Sequence, residues 1–202
     1  LELSQAVSHY NRLMILGGPG SGKTTFLRYL ALKHAQALWD SRIDIALDTG
    51  KPSFPILIRI ADYVKSDAWK QKPLSSFLID YCHKHECPLV GLADLLATEL
   101  EKGNCLILLD GLDEIVSADD RRAVVWQIED FVRRYDNKSN RFIITSRTAG
   151  YRSAQLGEPF TYCILQGMEE KIQIPDFLER WCPPIEAAIA PNIPLATMKT
   201  IV

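Results

Sequence analysis

The stretch Gly17-Gly18-Pro19-Gly20-Ser21-Gly22-Lys23-Thr24 restricts the possible folds of this chain more than anything else in it. It matches G-x-x-x-x-G-K-[ST], a pattern that has its chemical meaning only where a strand runs into a tight turn that opens a helix. Both neighbours are present. The apolar run Leu13-Met14-Ile15-Leu16 precedes the turn, and Phe26-Leu27-Arg28-Tyr29-Leu30-Ala31-Leu32 follows it with helical spacing. Glycine lets the backbone wrap a polyphosphate closely, so that several N–H groups point at the anion. The helix that begins here adds the positive end of its dipole. Lys23 can then reach the β- and γ-phosphates, and the Thr24 hydroxyl can ligate Mg²⁺. Gly17, Gly18, Pro19, Gly20, Ser21, Gly22, Lys23, Thr24 and Thr25 are therefore the expected nucleotide-binding residues, with ATP or ADP and Mg²⁺ as ligands.

A second run, Cys105-Leu106-Ile107-Leu108-Leu109-Asp110, is apolar up to a terminal carboxylate. Strands buried on both faces of a parallel sheet have this composition, without alternation between apolar and polar positions. An acid at the carboxyl end of such a strand sits beside the phosphate loop, where it can hold Mg²⁺. Asp110 is thus the expected metal residue together with Thr24. The chain continues Gly111-Leu112-Asp113-Glu114, so Asp113 is the expected catalytic base and Glu114 its alternative. A third run, Phe142-Ile143-Ile144-Thr145, ends in Ser146-Arg147. By the same logic Arg147 reaches the same sheet edge, where a permanent charge on a planar fork suits a γ-phosphate. Lys23, Asp113, Glu114 and Arg147 form the expected catalytic set.

Together these residues resemble the NACHT family of signal-transduction NTPases, of bacterial type, within the wider STAND and AAA+ group. The piece that carries the resemblance is Leu106-Ile107-Leu108-Leu109-Asp110-Gly111-Leu112-Asp113-Glu114, in which a small residue follows the magnesium aspartate and further acids come three and four places later. Most related ATPases put the catalytic Glu directly after that Asp. Thr145-Ser146-Arg147 is similar to the family's sensor arginine, and Gly150-Tyr151-Arg152 is common in bacterial members. Phe54 to Ile60 and Pro73 to Leu78 match the family's second strand and the helix after it. Ile174 to Trp181 resembles the first helix of a small helical domain. Pro191-Asn192-Ile193-Pro194-Leu195-Ala196-Thr197-Met198 resembles a later segment of it, whose proline, here Pro194, contacts the base. The resemblance implies a P-loop NTPase that switches with nucleotide state inside a larger signalling or defence protein, hydrolyses ATP slowly and self-associates through its parent.

Size and charge agree with a domain of that kind. At 202 residues, one α/β domain with a small appendage is the natural arrangement. A net charge of -2 disfavours a large nucleic-acid footprint, which would show as a basic stripe. No apolar stretch approaches the 18 or more residues that span a bilayer. The five cysteines have irregular spacing, and Cys105 sits in a core strand, so a reducing, cytoplasmic compartment is expected. The chain reads as a piece of a longer protein.

The expected elements are strands at 12–16, 55–60, 104–110, 141–146 and 161–165. Helices are expected at 22–39, 74–86, 89–102, 118–135 and 169–182. This alternation predicts a mostly parallel five-stranded sheet flanked by helices, with ligands beyond the carboxyl ends of its strands. The predicted boundaries are 1–166 for the nucleotide-binding α/β domain and 167–202 for the start of the small helical domain. Three further features read as structural. Cys82-His83-Lys84-His85-Glu86-Cys87 offers zinc-type ligands, but its cysteines lie five apart on a helix, about 140° round the axis. Leu47-Asp48-Thr49-Gly50 copies an aspartic-protease triplet outside the all-β frame that chemistry needs. His9 and His34 are expected as surface or capping residues, and three of Trp39, Trp69, Trp126 and Trp181 as helix core. Two other functions share the phosphate loop. A small-molecule kinase would carry an Arg-rich lid, whereas Arg121-Arg122 and Arg133-Arg134 are expected to face outward on one helix. An ATPase remodelling nucleic acid or protein is the alternative, and on nucleic acid it would bind in a salt-sensitive way.

Overall fold

A computed structural model of the chain describes residues 3–40, 51–66, 70, 72–85, 91–136, 139–151, 155–157, 160–167, 171, 173–175 and 179. Contacts divide the chain into two units, Leu1–Leu165 and Gln166–Val202. The first unit is built on strands β1 (Arg12–Gly17), β2 (Phe54–Arg59), β3 (Cys105–Asp110), β4 (Arg141–Ser146) and β5 (Thr161–Leu165). They form one sheet in the order β2-β3-β4-β1-β5, with every pairing parallel. Parallel neighbours need a crossover, and helices supply the crossovers here. They are α2 (Lys23–Trp39), α3 (Ile60–Lys65), α4 (Leu74–His85), α5 (Leu92–Lys102), α6 (Ala118–Tyr135) and α7 (Thr148–Tyr151), while α1 (Leu3–His9) precedes β1. The fold is the expected α/β architecture, and the acid-tipped strand β3 is not the neighbour of the loop strand β1. β4 lies between them.

Side chains of the central strands alternate between two cores. Met14 and Leu16 of β1, Ile107 and Leu109 of β3, and Phe142 and Ile144 of β4 pack with residues of α3, α4, α5 and α6. Leu13, Ile15, Leu106, Leu108 and Ile143 point to the opposite face, against Ala6 and Val7 of α1 and Leu27 and Leu30 of α2. All six residues of β3 are buried, so both of its faces are covered and the unbroken apolar run follows. Each fully buried Leu or Ile contributes about 1.5–3 kcal/mol relative to exposure. That energy anchors the strands, and their polar tips are held where the strands end. Buried Asn140 staples the opposite edge. Its Nδ2 donates to Leu100 O at 2.9 Å, and its Oδ1 accepts from Cys105 N at 3.0 Å.

Several expectations need correction. Ile60 opens α3 instead of ending β2, because the apolar run Ile56 to Ile60 carries no marker of where extension stops. His34 is fully buried, and its Nδ1 accepts from Ser53 N at 3.0 Å. Trp39 is 92% exposed and Trp126 59% exposed, so neither is core; Trp69 and Trp181 lie outside the described residues. Arg121 does not face outward with Arg122. Its Nη1 donates to Gly150 O at 3.1 Å and its Nη2 to Ile115 O. Of the expected helix 169–182, residues 173–175 and 179 are helical and most of the rest lies outside the described residues. The Asp48-Thr49-Gly50 triplet also lies outside them.

Candidate functional site

The amino end of α2 is built for an anion. Its cap, Gly22, has φ 85 and supplies no side-chain bond, and the first helical bond runs from Phe26 N to Gly22 O at 2.8 Å. The N–H groups of Lys23, Thr24 and Thr25 therefore have no carbonyl one turn behind them. A left-handed turn at residue 22 favours glycine, since any side chain there would be strained. A Cβ added at Gly18, Gly20 or Gly22 would meet open space, so this side of the loop borders a cleft. That cleft holds about 270 Å³ and is lined by the loop from Pro19 to Thr25, by Asp110, Gly111, Asp113 and Glu114, and by Thr145 and Arg147.

Lys23 Nζ donates to Gly17 O at 2.9 Å, Gly18 O at 2.8 Å and Ser21 Oγ at 3.0 Å, so its three protons rest on the loop itself. Burial holds the Lys23 ammonium below its ordinary pKa. Asp113 and Asp110 pull the other way, and Arg147 adds to the lowering. A cation that pays for burial beside another cation gains from an incoming phosphate. Thr24 Oγ1 donates to Asp110 Oδ2 at 2.8 Å, and Thr145 Oγ1 donates to Asp110 Oδ1 at 2.6 Å while accepting from Gly111 N at 3.0 Å. The intervening strand thus aims the carboxylate: Thr145 of β4 reaches Asp110 from one side and Thr24 of α2 from the other. Sequence reading passed over Thr145 as a strand residue. Its signal is its place two residues before Arg147, at the tip of β4.

Asp113 and Glu114 lie on a short 3₁₀ turn, Leu112–Glu114, entered through Gly111 at φ 81. A Cβ at Gly111 would stand 3.0 Å from Glu114 Cδ, so the small residue after Asp110 also makes room for Glu114 to fold back. Both carboxylate oxygens of Asp113 are engaged by Arg147 in this arrangement. Its Oδ1 accepts from Arg147 N at 2.7 Å, and its Oδ2 pairs with Arg147 Nε at 3.1 Å. Glu114 is more exposed and faces Arg59 Nη2 at 3.5 Å. Arg59 is a second arginine that the motifs do not mark. It ends β2 as Asp110 ends β3, and the two are register partners.

The residues present fit a Mg²⁺-nucleotide. Thr24 and Asp110 are adjoining hard oxygen donors, and Mg²⁺ is commonly held by one carboxylate plus phosphate oxygens and water. Among the described residues no group of three or more His, Cys, Asp and Glu is placed to hold a metal by itself, so phosphate oxygens would complete the shell. A larger cleft of about 530 Å³ between α2 and β2 is lined by apolar residues such as Leu38, Trp39 and Phe54 and offers no comparable chemistry. Pro194, the expected base contact, and Arg152 lie outside the described residues. Among those residues no helix is long and apolar enough to cross a membrane.

A family model, the NACHT domain, matches residues 11–183, which include every candidate residue above except Pro194. No curated protein matches the chain.

Proposed function

The chain belongs to the NACHT family and is a nucleotide-binding P-loop NTPase module; from that premise we propose that it is a nucleotide-dependent switch with slow, Mg²⁺-dependent ATP hydrolysis. The observation that carries this reading is the two-oxygen grip of Asp113 on Arg147 at the rim of the cleft. A γ-phosphate offers Arg147 a second anionic partner that ADP lacks. Two anions competing for one cation give the turn after β4 two arrangements, and ATP and ADP bias them differently.

In this reading Lys23 turns its three donors from the loop carbonyls to the β- and γ-phosphate oxygens. Thr24 and Asp110 would hold Mg²⁺, which when bound neutralises phosphate charge. Thr145 keeps the Asp110 carboxylate oriented. Since Asp113 is spent on Arg147, the base is Glu114, which takes a proton from the attacking water. The water oxygen bonds to the γ-phosphorus as the bond to the β–γ bridging oxygen breaks, and ADP leaves with that electron pair. Slow turnover follows from the starting positions. Lys23, Arg147 and Glu114 each hold a partner that must be given up before reaction: the loop carbonyls, Asp113 and Arg59 respectively. We also assign 167–202 to the start of a small helical domain, and switching to a cytoplasmic parent protein that self-associates.

Steady-state phosphate release tests this directly. The chain should release phosphate at well below about one per second, against a median near ten for enzymes generally, and only with Mg²⁺. A concentration-independent turnover of several per second would mark a self-sufficient enzyme instead.

A further inference from the structure

Arg121 belongs to no motif. It lies in the first turn of α6, behind the cap Ser117, whose Oγ accepts from Asp120 N at 3.3 Å. Its neighbour Arg122 pairs with Asp119 on the exposed face. Arg121 turns inward and donates to two backbone carbonyls on different segments, Gly150 O at 3.1 Å and Ile115 O. Ile115 directly follows Glu114, and Gly150 lies in α7, whose Tyr151 N donates to Arg147 O at 3.1 Å. The same Gly150 packs on Asp113, since a Cβ there would stand 2.5 Å from Asp113 Cβ. One guanidinium therefore ties the turn carrying the two acids to the turn carrying the sensing cation. It does so from outside the cleft, whose lining does not include it.

We infer that Arg121 is a positioning residue for nucleotide discrimination: it sets the distance between Asp113 and Arg147 and so decides how readily a γ-phosphate competes for Arg147. The chemistry of the side chain suits this task. A planar fork presents diverging N–H groups at a fixed separation, whereas a lysine presents one point of charge and cannot span both carbonyls. The two acceptors that join the turns, Gly150 O and Ile115 O, are backbone carbonyls, one on each turn. Small displacements of a charged group at a reaction site have large effects, which gives a bond made outside the cleft a functional reach.

This inference rests on the switch reading, and its test separates the two. Arg121→Lys and Arg121→Gln are titrated by calorimetry with Mg²⁺-ADP and with a Mg²⁺-bound non-hydrolysable ATP analogue, each in the wild-type and in the Arg147→Ala background. ADP affinity should stay within about twofold of wild type, since Lys23, Thr24 and Asp110 are untouched. The affinity ratio of analogue to ADP should fall about tenfold, because the turn carrying Arg147 is no longer held where a γ-phosphate reaches it, and a rise in the ratio overturns the role. In the Arg147→Ala background the same substitutions should leave that ratio unchanged, because the group they position is gone. An unchanged ratio in the single variants, an equal loss for both nucleotides, or an undiminished effect without Arg147 overturns the positioning role. If the wild type binds neither nucleotide, the switch reading fails with it. If Arg121→Gln proves unstable, Arg121→Lys, which keeps charge and length, decides the matter.

Discussion

The two halves of the candidate site are made in different ways. The half formed by β1, the loop and α2 is local: Gly17 to Thr25 are contiguous, and Lys23 folds back on carbonyls five and six residues away. The half formed by the tips of β2, β3 and β4 is assembled across the sheet. Asp110 meets Thr145 over 35 residues, Asp113 meets Arg147 over 34, and Arg121 meets Gly150 over 29. The local half offers N–H groups and one ammonium to any polyphosphate. The assembled half depends on the relative placement of three strands, and in the proposed switch that is where a difference of one phosphate is felt. The proposal thus separates binding and discrimination in space, and substitutions should separate them in measurement.

The largest effect is expected in the local half. Lys23→Ala should abolish measurable nucleotide binding, a loss of about 10³-fold or more, because up to three charge-assisted bonds of about 1.5–3 kcal/mol each disappear. Calorimetric titration with ADP and ATP checks it, and undiminished affinity for either would show that the loop is not the binding element. Next come the two acids of the assembled half. Glu114→Gln should slow phosphate release by about 10²-fold or more while ADP affinity holds, the usual scale for removing a positioned base. Asp113→Asn should slow release less, and should raise the affinity for an ATP analogue relative to ADP, since it weakens the competitor for Arg147. If Asp113→Asn proves the slower of the two, Asp113 is the base and the roles exchange.

The smallest effect lies away from both halves, at His34. Burial, with Arg141 adding to it, holds the His34 imidazole below its ordinary pKa of 6.5. The unfolded chain then takes up a proton near pH 6.5 that the folded chain resists, so the stabilising term is complete above that pH and is lost as pH falls below it. Melting temperature should drop by a few degrees between pH 7 and pH 5, at about 2–4 °C per kcal/mol for a chain of this size. Part of that slope should vanish in His34→Gln, and an identical slope in the variant would remove His34 from the account.

What the sequence allowed one to read follows the same division. β1, α2, β3, α6 and β4 emerge within one or two residues because long apolar runs and helical periodicity are local signals. The loop, the terminal acid of β3 and Arg147 were legible because each closes such a run. The order of strands was not, since nothing in β3 or β4 states which of them lies beside β1. Hence the contacts of Thr145, Arg59 and Arg121 were not legible: their partners are Asp110, Glu114 and two backbone carbonyls, met only once the sheet is assembled. His34 escaped for the same reason, its partner being the backbone of Ser53. Trp39 and Trp126 misled in the other direction, because a large apolar side chain on a helix does not by itself specify which face it occupies.

The most direct test of the central claim is calorimetric titration of wild type and Arg147→Ala with Mg²⁺-ADP and with a Mg²⁺-bound non-hydrolysable ATP analogue. Arg147 is gripped by Asp113 and sits at the rim of the cleft that the phosphate loop lines. Removing it should leave ADP affinity within about twofold and weaken the analogue by about tenfold, the loss of one charge-assisted contact to the γ-phosphate. Equal weakening of both nucleotides, or of neither, would contradict a sensor that tells ATP from ADP.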